Sequence, residues 1–378
     1  MSMRRIDVNG QNGQQVVVDA DAHVIEPRGL WNDYLEDRFR ERGPRFAPTE
    51  RGFNALLIDD QLIAASAFEL ARGAATVASD RRATRHATID GRLADMDSEG
   101  ITAAVLFPTM GLYLAEVRDP ALLAALCRAY NNWLADECAQ GQDRLHGAAL
   151  LPLADIDAAV AELERVIDRH GAKAVMVRPN PAAGRPLHHP AYDRLWARAA
   201  SADVAIAVHE GWSEGLPTLA SDRFDNAAIE HALSHPMEQM AACVGLILTG
   251  VLERHPALRV GFLESGGGWV PYLLHRMDEH FEMWPSFMPN VTLKPSEYFA
   301  RQCFVSIDPQ EPHIDPLIAA IGDECIVWAT DYPHADSVFP GAVDVLRSGM
   351  KGLSATSQER ILSSNAQRLF GIKVPVGA

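Results

Sequence analysis

The sequence predicts a closed (β/α)8 TIM barrel, and three observations lead there. Eight short apolar runs recur along the chain. Helix-period segments separate them, and Asp, His, Glu or Arg stands at the C-terminal end of several runs. Runs that are apolar almost throughout, rather than alternating, are what parallel strands covered on both faces require.

In chain order the predicted strands are VVVDADAH (16–23), ITAAVLFPT (101–109), LHGAALLPL (145–153), AKAVMVRPN (172–180), VAIAVHEG (204–211), RVGFLESGG (259–267), CFVSID (303–308) and CIVWATDYP (325–333). Helices are predicted over 90–100, 119–140, 155–171 and 189–203, and over WVPYLLHRMDEHF after the sixth strand. The helix at 155–171 opens on Asp155, an N-cap acceptor, and closes on Gly171, which reaches the left-handed conformation of a C-cap. Two segments break the alternation. Residues 28–90 contain FNALLIDDQLIAASAF, which predicts a small hairpin, and residues 212–245 follow the fifth strand. Both leave strand ends and therefore belong to the C-terminal rim, where barrel enzymes build their sites. No repeat or Pro-rich linker divides the chain, so 1–378 is read as a single barrel domain with a rim insertion at about 28–90. A doubly wound open sheet is the structural alternative.

Composition excludes several classes. The formal charge of −16 argues against a nucleic-acid partner, which needs clustered Lys and Arg. No apolar run reaches the length of a membrane span, and the N-terminal stretch lacks an apolar signal core. The five cysteines are scattered without a C-x-x-C spacing, which predicts reduced thiols and a cytoplasmic setting.

The chemistry gathers at strand ends. Asp21 and His23 are two apart on the first strand, so one face presents a carboxylate oxygen and an imidazole nitrogen to one ion. Asp19 lies one layer deeper and reads as structural. His209 ends the fifth strand, and by itself fits a core histidine with one satisfied hydrogen bond. Asp331 ends the eighth. It is costly to bury without a partner, and a helix cap or loop anchor is its plain alternative. In a barrel these ends converge, and imidazole with carboxylate suits Zn, Mn or Fe(II) with room left for water. One divalent metal ion on Asp21, His23, His209 and Asp331 is therefore expected.

Glu264, ahead of Gly266, Gly267 and Gly268, is a ligand, an acid/base, or a group orienting a ligand; a glycine turn before the next helix is the alternative. Arg178 can clamp a substrate carboxylate bidentately, or pair with Glu210 or Glu264. His334 and Asp336 are loop candidates for substrate contact or proton transfer, whereas His188, His189, His231 and His235 read as helix-boundary or loop residues. No P-loop and no G-x-S-x-G elbow is present.

DADAHVIEP (19–27), RPN (178–180), VHEG (208–211), LESGGGWVPYLLHRMDE (263–279), WATDYPHADS (328–337) and NAQRLFGI (365–372) together resemble the amidohydrolase superfamily. The likeness is greatest to its aminocarboxymuconate-semialdehyde decarboxylase-like (amidohydrolase 2) branch and the related aromatic-acid decarboxylases. The resemblance implies a barrel with one Zn or Mn ion, held by a His-x-His or Glu-x-His pair on the first strand, a His on the fifth and an Asp on the eighth. Asp21 with His23, His209 and Asp331 match these positions. Two departures stand out. Asp21 replaces the usual His or Glu and makes the site harder, which favours Mn as a candidate. Glu264 stands where decarboxylase relatives carry an acid/base His.

The resemblance implies a carboxy-lyase: non-oxidative decarboxylation of a small aromatic or unsaturated carboxylic acid. Asp331 or Glu264 would protonate the carbon that loses CO2, and Arg178 would orient the anion. A metal-dependent hydrolase of an amide, lactone or C–C bond would instead use a metal-activated water, with Asp331 accepting a proton and Glu264 or His334 aiding the leaving group. A non-catalytic ligand-binding barrel is the third possibility. Relatives are commonly dimers, and the 28–90 insertion offers a homodimer interface.

Overall fold

The computed structural model describes residues 15–48, 54–63, 88–211, 213, 215–312, 314–334 and 337–374. Eight parallel strands follow one another around a barrel: β1 Val18–Val24, β5 Ala103–Pro108, β6 Leu145–Leu150, β7 Ala174–Val177, β8 Ala205–His209, β9 Val260–Leu263, β10 Cys303–Ile307 and β11 Ile326–Trp328. They match the predicted runs to within a few residues. Every residue of β1, β5, β7, β8, β9, β10 and β11 is buried, as strands covered on both faces must be.

Closure between β11 and β1 occurs just beyond the last strand. His23 N donates to Tyr332 O at 2.7 Å, and Asp331 N donates to Asp21 O at 3.0 Å. One layer deeper, Asp19 accepts from Thr330 N at 3.0 Å and from the Thr330 hydroxyl. Burial nevertheless pushes the Asp19 carboxyl up to about 7. Asp19 is thus a clasp for the barrel seam. Replacing it with alanine leaves buried donors without acceptors, so Asp19→Ala should cost about 1–3 kcal/mol in urea denaturation, and Asp19→Asn less. Unchanged unfolding midpoints would mean that the backbone bonds alone hold the seam.

The expected helices are present, though the one predicted over 189–203 is a 3-10 turn at Pro190–Tyr192 followed by a helix over Asp193–Ser201. Asp155 accepts from Ala158 N at 3.1 Å to start Ile156–His170, and Gly171 closes that helix at φ 63°. After β8, the 212–245 segment that breaks the predicted alternation holds most of the long helix Ala227–Leu248, which contains Pro236. Its mixed apolar and His content hid the helical period.

Among the described residues of 28–90 there is a three-stranded antiparallel sheet, β2 Arg45–Pro48, β3 Asn54–Ile58 and β4 Gln61–Ile63. The predicted hairpin is β3–β4, turning through Asp59 and Asp60 at φ 54° and 61°. Its expected continuation over 64–68 lies outside the described residues. No helix among the described residues is long and apolar enough to cross a membrane.

Candidate active site

Strand geometry brings the predicted metal residues together at the C-terminal mouth. The β1–β5 register shifts between Asp19 and Ala22, an irregularity of the kind that re-aims side chains beside sites. His23 Nδ1 donates to Pro108 O at 2.8 Å, and His209 Nδ1 donates to Glu210 O at 2.7 Å. A carbonyl can only accept, so both rings carry hydrogen on Nδ1 and turn Nε2 toward the mouth. His23 Nε2 lies 3.4 Å from Asp21 Oδ1 and 3.2 Å from Asp331 Oδ1, while His209 Nε2 lies 3.3 Å from Asp21 Oδ2.

These atoms fit a cation. Asp21 Oδ1, His23 Nε2 and His209 Nε2 are fully buried and have no hydrogen-bond partner among the described residues. The ligand atoms of Asp21, His23 and His209 fall within 4.8 Å of one another. Acceptors facing acceptors in a buried pocket repel unless positive charge stands between them. Burial, then the neighbouring His334 and His209, hold the His23 imidazole well below its ordinary pKa, which keeps its lone pair available.

Around this set the remaining candidates separate by role. Glu264 Oε2 is 3.3 Å from His209 Nδ1. His334 Nδ1 is 2.8 Å from Asp331 Oδ1 and its Nε2 is 2.9 Å from Thr109 Oγ1, with its ring 4.0 Å from that of His23. Asp331 and Glu264 share a further property: their φ values are 57° and 52°, in the left-handed region. Non-glycine residues pay to be there, and such costs concentrate at functional sites. The two carboxylates and His334 are partly exposed to the mouth, whereas Asp21, His23 and His209 are not. Asp336 lies outside the described residues.

Arg178 is buried and turned inward. Its Nη1 donates to Leu112 O at 3.0 Å, its Nε and Nη2 reach Asn180 Oδ1 at 3.1 and 3.0 Å, and Nη2 is 3.4 Å from Glu210 Oε1. Of the pairings open to it, Glu210 is therefore the one it makes. Burial pushes the Glu210 carboxyl up to about 7 despite the guanidinium beside it.

Sequence reasoning missed Gln239 and misplaced His231 and His235. Gln239, on Ala227–Leu248, donates to Val208 O and to Leu263 O, both at 2.9 Å, and so ties together the strand ends that carry His209 and Glu264. His231 and His235, read as boundary residues, stand inside the same helix and line the mouth beside Glu264. Their spacing of four residues, which places two side chains on one helical face, was the available signal. His189 is at a boundary as expected, its Nδ1 accepting from Ala191 N at 3.2 Å.

Comparisons with known proteins agree with this geometry. An amidohydrolase family model matches residues 18–372. A 2-amino-3-carboxymuconate-6-semialdehyde decarboxylase from Dictyostelium discoideum is 25% identical over 75% of this chain and 76% of its own length. A gamma-resorcylate decarboxylase from Rhodococcus jostii is 28% identical over 74% of this chain and 87% of its own. Among solved structures, an amidohydrolase from Mycobacterium avium subsp. paratuberculosis superposes with a TM-score of 0.78 at 25% identity, covering 96% of this chain and 100% of that one. A 5-carboxyvanillate decarboxylase from Novosphingobium aromaticivorans, complexed with manganese and 4-hydroxy-3-methoxy-5-nitrobenzoic acid, gives 0.70 at 20% identity over 95% and 96%.

Proposed function

The chain belongs to the amidohydrolase family, and on that premise we propose that it is a metal-dependent carboxy-lyase removing CO2 from a small aromatic or unsaturated carboxylic acid. The observation that carries this is the convergence of Asp21, His23 and His209 as buried acceptors at the barrel mouth, in a chain whose curated relatives are mainly decarboxylases, with a 2-keto-4-carboxy-3-hexenedioate hydratase among them. Asp21, His23, His209 and Asp331 would hold one divalent cation; manganese, named in a structural neighbour, and zinc both suit the donor set. A bound cation would supply positive charge for the substrate carboxylate and an adjacent oxygen, and hold both in place.

The chain's own groups handle the proton. Glu264, in its protonated form, delivers a proton to the carbon that bears the carboxylate. The C–C bond then breaks, its electron pair restores the π bond that took up the proton, and the carboxylate leaves as CO2. Asp331 is the second candidate donor, supported by its 2.8 Å contact with His334 Nδ1. His334 would exchange that proton with Asp331.

Arg178 would attract the acid by charge while its donors brace Leu112 and Asn180 at the rim. Lysine keeps the charge but loses the fork. Arg178→Lys should therefore raise KM for acids about tenfold or more with less effect on kcat. A loss confined to kcat would instead assign Arg178 a role in the transition state.

The test of the reaction is direct. Protein reconstituted with manganese or zinc is offered 2,6-dihydroxybenzoate (gamma-resorcylate) and other hydroxybenzoates, and CO2 is measured. CO2 release supports the proposal. Incorporation of oxygen from labelled water without CO2 would overturn it in favour of hydrolysis. The proposal extends to a single barrel domain acting as a cytoplasmic homodimer. Five free thiols support a reducing setting, and light scattering tests the dimer.

A further inference from the structure

Two charged residues lie on the inward face of the helix Ile89–Glu99, and the decarboxylation scheme uses neither. Arg92 and Asp95 are three apart, so they share one face, and each is only 3% exposed. The helix is fixed at both ends. Thr88 Oγ1 accepts from Gly91 N at 3.1 Å, and Gly100 closes it at φ 75°. Charged side chains are seldom buried so fully. Burial lowers the pKa of the Arg92 guanidinium, a sign of what its desolvation costs. A hydrocarbon of similar volume would pack at this place more cheaply. What the polar pair adds is direction.

Both side chains reach the backbone that carries the metal residues. Arg92 Nη2 donates to the carbonyl of His23, and the guanidinium carbon stands 5.4 Å from the centroid of the Tyr332 ring. Tyr332 donates its hydroxyl hydrogen to Asp95 Oδ2 at 2.5 Å. Tyr332 O in turn accepts from His23 N at 2.7 Å. The backbone of His23 is therefore held on both sides, its N–H by Tyr332 and its C=O by Arg92. Asp331 precedes Tyr332, and its N donates to Asp21 O at 3.0 Å. The helix thus grips the ends of β1 and β11 together, and those ends carry Asp21, His23 and Asp331. Metal–ligand bonds run about 2.0–2.2 Å, so a shift of a few tenths of an ångström at either end is felt at the ion.

We propose that Arg92, Asp95 and Tyr332 form a buried brace that sets the separation of these two strand ends, which makes Arg92 and Tyr332 positioning residues for the metal site. The inference rests on the reading of Asp21, His23, His209 and Asp331 as the holders of one divalent cation. It goes beyond that reading in making cation affinity depend on a helix that supplies none of the four ligands. The brace acts through backbone and ring contacts, so its loss should loosen the site without removing a donor atom.

The experiment measures manganese affinity of the full chain by chelator competition, and reads coordination geometry from the visible absorption of protein loaded with cobalt(II). Arg92→Met should weaken manganese binding about 10–100-fold, the usual effect of losing a group that orients ligands, and should change the cobalt spectrum. Arg92→Lys keeps the charge and a donor and should recover part of both. Tyr332→Phe keeps the ring and removes only the hydroxyl. It should weaken binding about tenfold, which keeps the test decisive if Arg92→Met does not fold. Leu93→Ala is the control, because it removes buried hydrocarbon from the same helix and leaves the brace intact. It should lower the urea midpoint while manganese affinity and the cobalt spectrum stay as in wild type. Wild-type affinity in both Arg92→Met and Tyr332→Phe overturns the brace. An equal loss of affinity in Leu93→Ala overturns it too, by making the helix a general support. Wild-type protein that binds neither ion would overturn the metal reading itself, and the brace with it.

Discussion

His209→Ala should leave purified protein with little or no divalent metal and no measurable turnover, and His23→Ala should do the same. Each variant deletes one of the two imidazole Nε2 atoms that, with Asp21, face one another inside a buried pocket. The three remaining ligands cannot hold a cation against water with comparable affinity. A thermal readout separates this from simple damage. Adding manganese or zinc to metal-free wild type should raise stability by about 2.7 kcal/mol when the ion is at 100 times its Kd. Neither alanine variant should show that rise. Metal analysis gives the count, with about one ion per wild-type chain expected. Unchanged metal content in both variants would remove the site from this part of the barrel.

Glu264→Gln should keep its metal and lose about 10²–10⁴-fold in turnover, the usual contribution of a positioned proton-transfer group. Glutamine preserves size and shape, so the packing beside His209, whose Nδ1 lies 3.3 Å from Glu264 Oε2, is conserved. What disappears is the ability to carry a proton. Metal loss in this variant would make Glu264 a ligand. Full turnover with full metal would shift proton delivery to Asp331 and His334, whose 2.8 Å contact makes them the next candidates.

Much of this architecture was legible because two simple rules act early. Strands covered on both faces must be apolar throughout, so the barrel strands declare themselves in the sequence. Parallel topology sends all their C-terminal ends to one mouth, so Asp21, His23, His209 and Asp331 could be grouped before any distance was known. What depends on orientation was not legible. Arg178 could be placed at the rim, but its choice of Leu112, Asn180 and Glu210 follows from how the segment after β5 folds back over it. His231 and His235 reach the mouth only because the helix Ala227–Leu248 leans over Glu264. The strand β2 pairs with β3 across intervening residues that carry no alternating pattern.

The left-handed backbone at Glu264 and Asp331 has a consequence for anyone evolving this protein. Glycine is at ease at such φ values, whereas other residues held there pay about 1–3 kcal/mol. Part of that relief, about 0.5–1 kcal/mol, is returned because glycine loosens the unfolded chain. A library screened only for heat resistance will therefore collect glycine at 264 and 331, and each such winner will have discarded a carboxylate from the mouth. Screens that couple survival of heating to CO2 release will reject those same clones, so the two selections should diverge first at these positions.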